Sequence, residues 1–496
     1  VDGHAEHRPV QGSLVRARAA LSSPDYRRLL AARLISQIAD GLFQAYLVAQ
    51  LVFLNPEKNA TLRGIAEAYA LLVIPFSLVG PLSGVLIDRW SRRLILVVTP
   101  LIRFGALFLL LPWHKTNLFI YTPALVIVSL NRFYLATASA VTPVLVEDQN
   151  LLMANSMGSV GGTVATFVGI VVGTKLVDPI GTRGLLLLLA ACWPVASFVG
   201  SRIGDPLRPA EPQGGLRAEL GEVAGQLRAG AKRLVATPMA LGSVVSVSFD
   251  QFLIGLVTVL SLVVFKERFK EGVGSYGNII AAGGVGVLAG TLTVGWFEPK
   301  VPKPRIVSLA FALGGVTCLA VAPAITGPTI LILSFVLGLT FAWRKIPSDT
   351  MVQESVPNRY RGRIFTLYDL LYSMARVVSA LAALVLVPRL STAWLVGLTG
   401  ALYLLWTPIP SWWVARPRWV RVRFYEGGRA EEVPRSVDLG GDEEPVEVLG
   451  SWSEDRSGAR LTRYRLRLPG GSLIDIVGGG RERRWRLERE PPGHQV

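Results

Sequence analysis

The chain has 496 residues, of which 51% are hydrophobic and 17% charged, and it carries a net charge of +16. A soluble domain is roughly a quarter charged, so this composition excludes an ordinary water-soluble enzyme and fits a chain whose usual solvent is lipid. Cysteine and histidine exclude a disulfide framework, a zinc site and a His-based triad: Cys192 and Cys318 sit in apolar runs, and His4, His7, His114 and His494 lie in tails or a loop.

Residues 1–28 are polar and are expected to form an N-terminal tail with no cleavable signal. Apolar runs then recur near 30–54, 64–87, 94–112, 118–142, 157–177, 183–202, 240–265, 277–297, 306–325, 328–344, 364–388 and 392–414. Each approaches the ~20 residues that cross a bilayer, where a helix satisfies its own backbone polar groups. The predicted fold class is therefore an all-α polytopic membrane protein with twelve transmembrane helices in two six-helix halves, residues 29–203 and 239–415. The polar stretch 204–238 separates them. Within it, Leu216, Leu220, Val223, Leu227 and Leu234 recur at helical spacing, which predicts an amphipathic helix over 215–235 lying on the membrane surface.

From 416 to 496 the pattern alternates, as in Val420-Arg-Val-Arg-Phe-Tyr425 and Leu461-Thr-Arg-Tyr-Arg-Leu-Arg-Leu468. Pro469-Gly-Gly471 then gives a hairpin signal before Leu473-Ile-Asp-Ile-Val477. A small cytoplasmic β-rich module is expected, with Trp452 and Trp485 in its core.

The basic residues follow topology. Arg16, Arg18, Arg27 and Arg28 precede the first run, Arg202, Arg228, Lys232 and Arg233 sit in the central loop, and Arg344, Lys345, Arg361 and Arg363 are expected in the loop after the tenth run. With an even number of spans these lie on one side, which the positive-inside rule makes cytoplasmic, together with both termini, in the plasma membrane. The positive charge is thus accounted for without nucleic acid as a partner. Gly-Lys-Ser and Gly-Lys-Thr do not occur, so no P-loop is expected and energy should come from an ion gradient. No enzyme activity, cofactor or metal is predicted; the expected partners are the bilayer, a small-molecule substrate and protons, and the chain is expected to act as a monomer.

The loop between the second and third runs reads Gly84-Val-Leu-Ile-Asp88-Arg89-Trp-Ser-Arg92-Arg93. An acid at a helix end can accept from a neighbouring helix N-terminus, and the arginines can pair with acids such as Glu147 and Asp148. With this spacing and position the chain resembles the major facilitator superfamily over roughly residues 28–414. Pro143-Val-Leu-Val-Glu147, Leu152-Met-Ala-Asn155 and Pro357-Asn-Arg-Tyr-Arg-Gly362-Arg363 are similar to its drug and siderophore exporters, including the enterobactin exporters. The resemblance implies that Asp88 caps the eleventh span near Arg363, that Arg93 pairs with Glu147, and that these contacts hold the outward-open state.

Ionisable groups inside spans cost about 2.5–3.5 kcal/mol each on insertion scales, so they are candidates for function. Asp40, Arg132, Asp250, Asp369 and Arg376 stand out, with Asn131 and Gln251 as polar neighbours in sequence. Ser129-Leu-Asn-Arg132-Phe-Tyr-Leu-Ala136 resembles the family's proton-coupling motif, with alanine where glycine is expected. One reading sets Arg132 opposite Asp40, with Asp250 as a second carboxylate in the other half, as a proton or substrate site. The other makes these charges interspan salt bridges, with Asp369 and Arg376 paired to each other or to water, and Arg103 snorkelling to the surface. Asp40 and Asp250, each on the first span of its half, and the recurrent Gly and Trp of Gly84–Trp90 and Gly290–Trp296 favour a duplicated architecture.

Gly158, Gly161, Gly162, Gly169 and Gly173 in the fifth run, and Gly283, Gly284, Gly286 and Gly290 in the eighth, allow close helix approach, for rocking or for static packing. The family's proton antiporters carry Gly-Pro in the fifth span, whereas here Gly169 precedes Ile170. The leading expectation is proton-coupled efflux of a small amphipathic, drug- or siderophore-like molecule by alternating access. An importer or uniporter, and a membrane sensor or scaffold using the C-terminal module, are the alternatives.

Overall fold

The computed structural model describes residues 13–50, 90–110, 117–204, 216–264, 273–298, 300–356, 358–415, 418–424, 433–438, 443–456, 459–468, 473–478 and 484–488. In chain order the helices are α1 (Ser13–Ser22), α2 (Pro24–Val48), α3 (Arg92–Phe108), α4 (Asn117–Leu145), α5 (Asp148–Ser201), α6 (Leu216–Val235), α7 (Pro238–Val264), α8 (Val273–Phe297), α9 (Lys303–Val321), α10 (Gly327–Ser355), α11 (Asn358–Leu386), α12 (Thr392–Trp406) and α13 (Ile409–Ala415). Among the described residues, eight helical stretches are long and apolar enough to cross a membrane. The expected count of twelve is not reached by these alone, and the expected span 64–87 lies outside the described residues.

Local chemistry sets the helix boundaries. Ser23 caps α2 by accepting from the Tyr26 N–H, with Pro24 in the first turn, where a missing N–H costs nothing. Ser391 caps α12 through the Trp394 N–H. Within α5, Gly181 is non-helical, with φ 70° and ψ 172°, a left-handed φ that glycine adopts readily. The chain doubles back there. Tyr26 Oη donates to Ala154 O at 2.8 Å and Arg28 to Arg202 O at 2.8 Å, which brings both ends of α5 beside the start of α2. One continuous run thus carries the two spans expected at 157–177 and 183–202.

The face where α2, α3, α7, α9 and α11 begin is the basic face, with Arg27, Arg28, Arg92, Arg93 and Arg202 at its helix ends. On that face α10 runs to Ser355, a full three turns beyond the expected end near 344. Arg344 and Lys345 are therefore helical residues inside the bundle, not loop residues. α6 forms where the spacing predicts, but its last turns dock on protein. Leu234 joins a core with Val244, Val352, Ile364 and Tyr368, and a Cβ on Gly230 would sit 3.1 Å from that of Arg363.

The glycine stripes work mainly within each half. A Cβ on Gly169 would lie 2.2 Å from Ile38 O, and one on Gly41 would lie 2.1 Å from Thr166 O, so α2 and α5 touch backbone to backbone. Gly286 and Gly338 serve the α8–α10 contact in the same way, with Cβ positions 2.0 Å from Phe335 O and Gly283 O. A second seam joins the halves between α5 and α8. The Gly274 N–H donates to Asp178 Oδ2 at 3.2 Å at the face opposite the basic one, Gly277 packs on Thr174, and Gly284 packs on the Phe167 ring.

After α13 the chain forms β1 (Arg418–Phe424), β2 (Pro434–Asp438), β3 (Glu443–Pro445), β4 (Glu447–Arg456), β5 (Ala459–Arg467), β6 (Leu473–Gly478) and β7 (Arg484–Glu488). Every pairing is antiparallel, and the order is β3-β2-β1-β7-β6-β5-β4. Only Val446 separates β3 from β4, and its N–H donates to Arg435 O at 3.0 Å. The two end strands are thus one bent strand, and the sheet closes into a small up-and-down barrel. Closure removes the open edges that would otherwise recruit other strands. Its interior holds Val422, Val437, Leu466, Ile476 and Trp485. Trp452, expected inside with Trp485, lies on the surface against Arg465, because it occupies the outward register of β4 opposite Arg463.

Candidate functional site

Three sets of ionisable groups among the described helices hold the candidate residues. The first is the pair Asp40–Arg103, from α2 and α3, enclosed in the N-terminal half. Ser36 Oγ accepts from Arg103 at 3.1 Å, and the guanidinium lies 4.3 Å from the Trp193 ring centroid, so aromatic charge and hydroxyl replace water. Arg103 is fully buried, which corrects the expectation that it snorkels. Asp40 takes this arginine, not Arg132.

The second set is its counterpart in the other half. Asp250 of α7 holds Arg344 of α10 at 2.8 Å, both fully buried. Tyr403 Oη donates to the same carboxylate oxygen at 3.0 Å, and Arg344 Nη1 donates to Ala310 O at 3.0 Å. Phe311 and Tyr403 flank the guanidinium at 5.2 and 5.0 Å. In both halves an acid on the first helix is neutralised by a buried arginine backed by aromatic rings, although the arginine comes from a different helix in each. Removing one partner of such a pair costs about 3–5 kcal/mol, because a charge is left buried alone. Each pair ties two helices of its own half together, α2 to α3 and α7 to α10, as a brace.

The third set is shared between the halves. Arg132 of α4 interacts electrostatically with Asp369, Arg376 and Tyr372 of α11. Asp369 is also within reach of Lys345 and Asp349 of α10. Lys345 Nζ donates to both Asp349 oxygens at 2.6 Å and lies 4.5 Å from the Tyr368 ring centroid. Arg132 is the sixteenth residue of the 29-residue α4 and Asp369 the twelfth of the 29-residue α11, so the cluster sits near mid-depth of the bundle. Beside Arg132, Asn131 keeps a buried Oδ1 that has no hydrogen-bond partner among the described residues. Asp369, expected in one reading to pair with Arg376 or with water, thus also has Arg132, Lys345 and Asp349 in electrostatic range. Lys345 and Asp349 were missed as members because the polar run Arg344–Asp349 reads as a loop when hydropathy alone ends the span.

Next to the cluster is a cavity of about 350 Å³ inside the C-terminal half. Gln251 and Tyr372 line its inner end and Tyr276, Ile325 and Thr392 its outer end, with aliphatic side chains between. Tyr372 is therefore common to the cavity and the cluster. Other aromatic side chains of α2 and α7 pack on one another: Phe43 against Tyr46 and Trp193, and Phe249 against Phe252 and Trp406.

Of the signature loop, Gly84, Asp88 and Arg89 lie outside the described residues, so the expected cap on α11 does too. Arg93 donates to Ser201 O at 2.6 Å and not to Glu147, because α3 packs on the second leg of α5. Glu147 instead precedes α5 at its N-cap, where an anion suits the helix dipole. Arg92 reaches Ala140 O at 3.5 Å. Gly362 is exposed at the start of α11, and Arg363 lies against α6, with its guanidinium 5.7 Å from the Tyr360 ring centroid.

Comparison with known proteins matches residues 239–454 to the family model described as Major Facilitator Superfamily. An MFS-type transporter of Mycobacterium bovis (strain ATCC BAA-935 / AF2122/97) is 30% identical over 393 residues, covering 75% of this chain and 87% of that protein. An MFS-type transporter of Mycobacterium tuberculosis (strain ATCC 25618 / H37Rv) gives the same figures. Among solved structures, the POT family transporter PepTSo aligns with a TM-score of 0.56 at 12% identity, covering 79% of this chain and 98% of that one. The nucleoside transporter NupG aligns at 0.57 and 14%, covering 79% and 99%. At those identities the two structures speak to the fold alone.

Proposed function

The chain belongs to the major facilitator superfamily and is a multi-pass membrane transporter, and from that premise we propose that it is a twelve-helix, proton-coupled carrier of a small amphipathic molecule. The observation that carries this reading is the charge cluster shared by α4 of one half and α10 and α11 of the other. Alternating access moves one half against the other around a site near mid-depth, so charges that span the halves are those whose partners change. The braces Asp40–Arg103 and Asp250–Arg344 stay inside their halves and move as rigid parts.

The coupling follows from competition. A proton and Arg132 compete for the Asp369 carboxylate, while an anionic cargo and Asp369 compete for Arg132. Proton and anion therefore bind together. A cationic cargo would instead compete with the proton for Asp369, and the two would exchange. Arg132, Arg376 and Lys345 outnumber Asp369 and Asp349, which favours an anion and hence co-transport. Ile170 after Gly169 agrees, since α5 runs helical past this point where the family's antiporters carry proline. Export by proton exchange, as the exporter-like motifs imply, is the second reading, and it rests on Pro143–Glu147 and Pro357–Arg363.

The test uses proteoliposomes with a trapped pH dye, to which amphipathic carboxylates and amphipathic ammonium compounds are added in turn. Alkaline-inside vesicles that acidify on carboxylate addition faster than protein-free vesicles, which the protonated acid crosses unaided, support co-transport. Proton exit in exchange for an ammonium compound supports the second reading. No pH response to either class, with the protein correctly inserted, would refute proton coupling.

A further inference from the structure

The cavity beside the cluster says what shape of cargo fits. Its lining runs along α7 from Gln251 to Val264, thirteen residues, or ~20 Å at ~1.5 Å per residue. Its volume of about 350 Å³ is at the low end for ligand pockets, so over that length it is a narrow tunnel open along part of its side. The walls are mainly aliphatic, with Ile254, Val257, Ile279, Ile280 and Leu333, and the hydroxyls of Thr258, Ser261 and Ser334 among them are turned to backbone carbonyls. At the inner end the tunnel reaches Tyr372, one turn from Asp369 and one turn from Arg376 on α11, and within the field of Arg132. No charged side chain lines the tunnel itself.

We propose that this tunnel holds the tail of a single-chain amphipathic anion, with a carboxylate or phosphate head at Arg132 and Arg376 and an unbranched hydrocarbon chain extending along α7 towards Thr392. This rests on the transport reading above and adds the substrate class to it. A compact or multi-ring molecule does not fit the long, thin space, and a purely polar solute leaves the aliphatic wall without a partner. A hydrocarbon chain fills that wall, and each buried methylene adds to affinity until the tunnel ends. The amphipathic chain also enters readily from the bilayer, where its tail is already solvated.

The experiment measures displacement of tritiated dodecanoate from the full chain in lipid nanodiscs, with empty nanodiscs as the control. Competitors are n-alkyl carboxylates from hexanoate to hexadecanoate. Displacement should strengthen about fourfold for each added methylene, referred to free aqueous competitor, and then stop at one chain length. Ile280→Trp and Val257→Phe each shorten the tunnel and should move that end point to shorter chains. Arg132→Gln should abolish the preference for alkyl carboxylates over the matching alkyl alcohols while keeping the chain-length end point. A series with no end point, or an end point unchanged in both filled variants, overturns the tail assignment. An unchanged head preference in Arg132→Gln overturns the head assignment. Loss of proton movement alone, with the end point and its shift intact, counts against the coupling reading and leaves this one standing.

Discussion

Asp250→Ala is the perturbation whose size the geometry defines best. In the native chain Arg344 is wholly buried and receives its neutralising charge from Asp250 at 2.8 Å, while Tyr403 donates to the same oxygen at 3.0 Å. Truncating the acid leaves the guanidinium among Phe311, Tyr403 and Ala310 with one carbonyl acceptor at 3.0 Å. A buried charge stripped of its partner costs about 3–5 kcal/mol. At roughly 2–4 °C per kcal/mol for a unit of this size, the melting temperature of the purified protein should fall by roughly 6–20 °C. The double variant Asp250→Ala with Arg344→Met removes both charges and should recover to within about 2 kcal/mol of the native chain, since an apolar replacement of a buried pair is often close to neutral. Nanodisc-reconstituted protein followed by intrinsic fluorescence on heating gives the comparison. A single variant that melts within 2 °C of the native protein, or a double variant no better than the single, would refute the brace.

The equivalent pair in the other half predicts the same pattern: Asp40→Ala should destabilise strongly and Asp40→Ala with Arg103→Met should recover, read by the same melts. Gly169→Leu places a side chain where its Cβ alone would lie 2.2 Å from Ile38 O, so overpacking should cost at least 1–3 kcal/mol and lower the yield of monodisperse protein on size exclusion. Thr174→Cys with Gly277→Cys, in a chain with Cys192 and Cys318 replaced by serine, should cross-link on mild oxidation, because the Gly277 Cβ position lies 3.1 Å from the Thr174 Cβ. The cross-link should stop transport until reductant is added, and oxidised protein with full transport would show that the α5–α8 seam need not open. Trp485→Ala should cost about 3–5 kcal/mol in the barrel and abolish its near-UV circular dichroism, since the ring packs between Phe424 and Tyr464.

The helical architecture was legible because a run of some twenty apolar residues has one stable form in lipid. The boundaries and the partners were less so. α10 continues past Arg344 because Lys345–Asp349 and the Arg344 brace satisfy its charges inside the bundle, a fact that hydropathy averages away. Asp40 lies in α2, over the first expected span, but its partner depends on the rotation of α2 about its axis, which no linear spacing records; it faces Arg103 and Trp193 rather than α4. The glycine stripes were visible, yet only the packing separates Gly169, which meets α2, from Gly284, which meets the other half at Phe167. The strands of the terminal module alternate as read, and the closing step was hidden because it depends on Val446, a single residue joining two pairings.

The central claim is that the charges between the halves, and not those inside them, carry coupling. The direct measurement is proton movement in proteoliposomes on addition of an amphipathic carboxylate, comparing the native chain, Asp369→Asn, and the double variant Asp250→Ala with Arg344→Met, each at equal inserted amounts. The account predicts that Asp369→Asn is silent while the double variant retains most of the native rate. Native rates in Asp369→Asn, or complete loss in a double variant whose melting temperature matches the native chain, would contradict it.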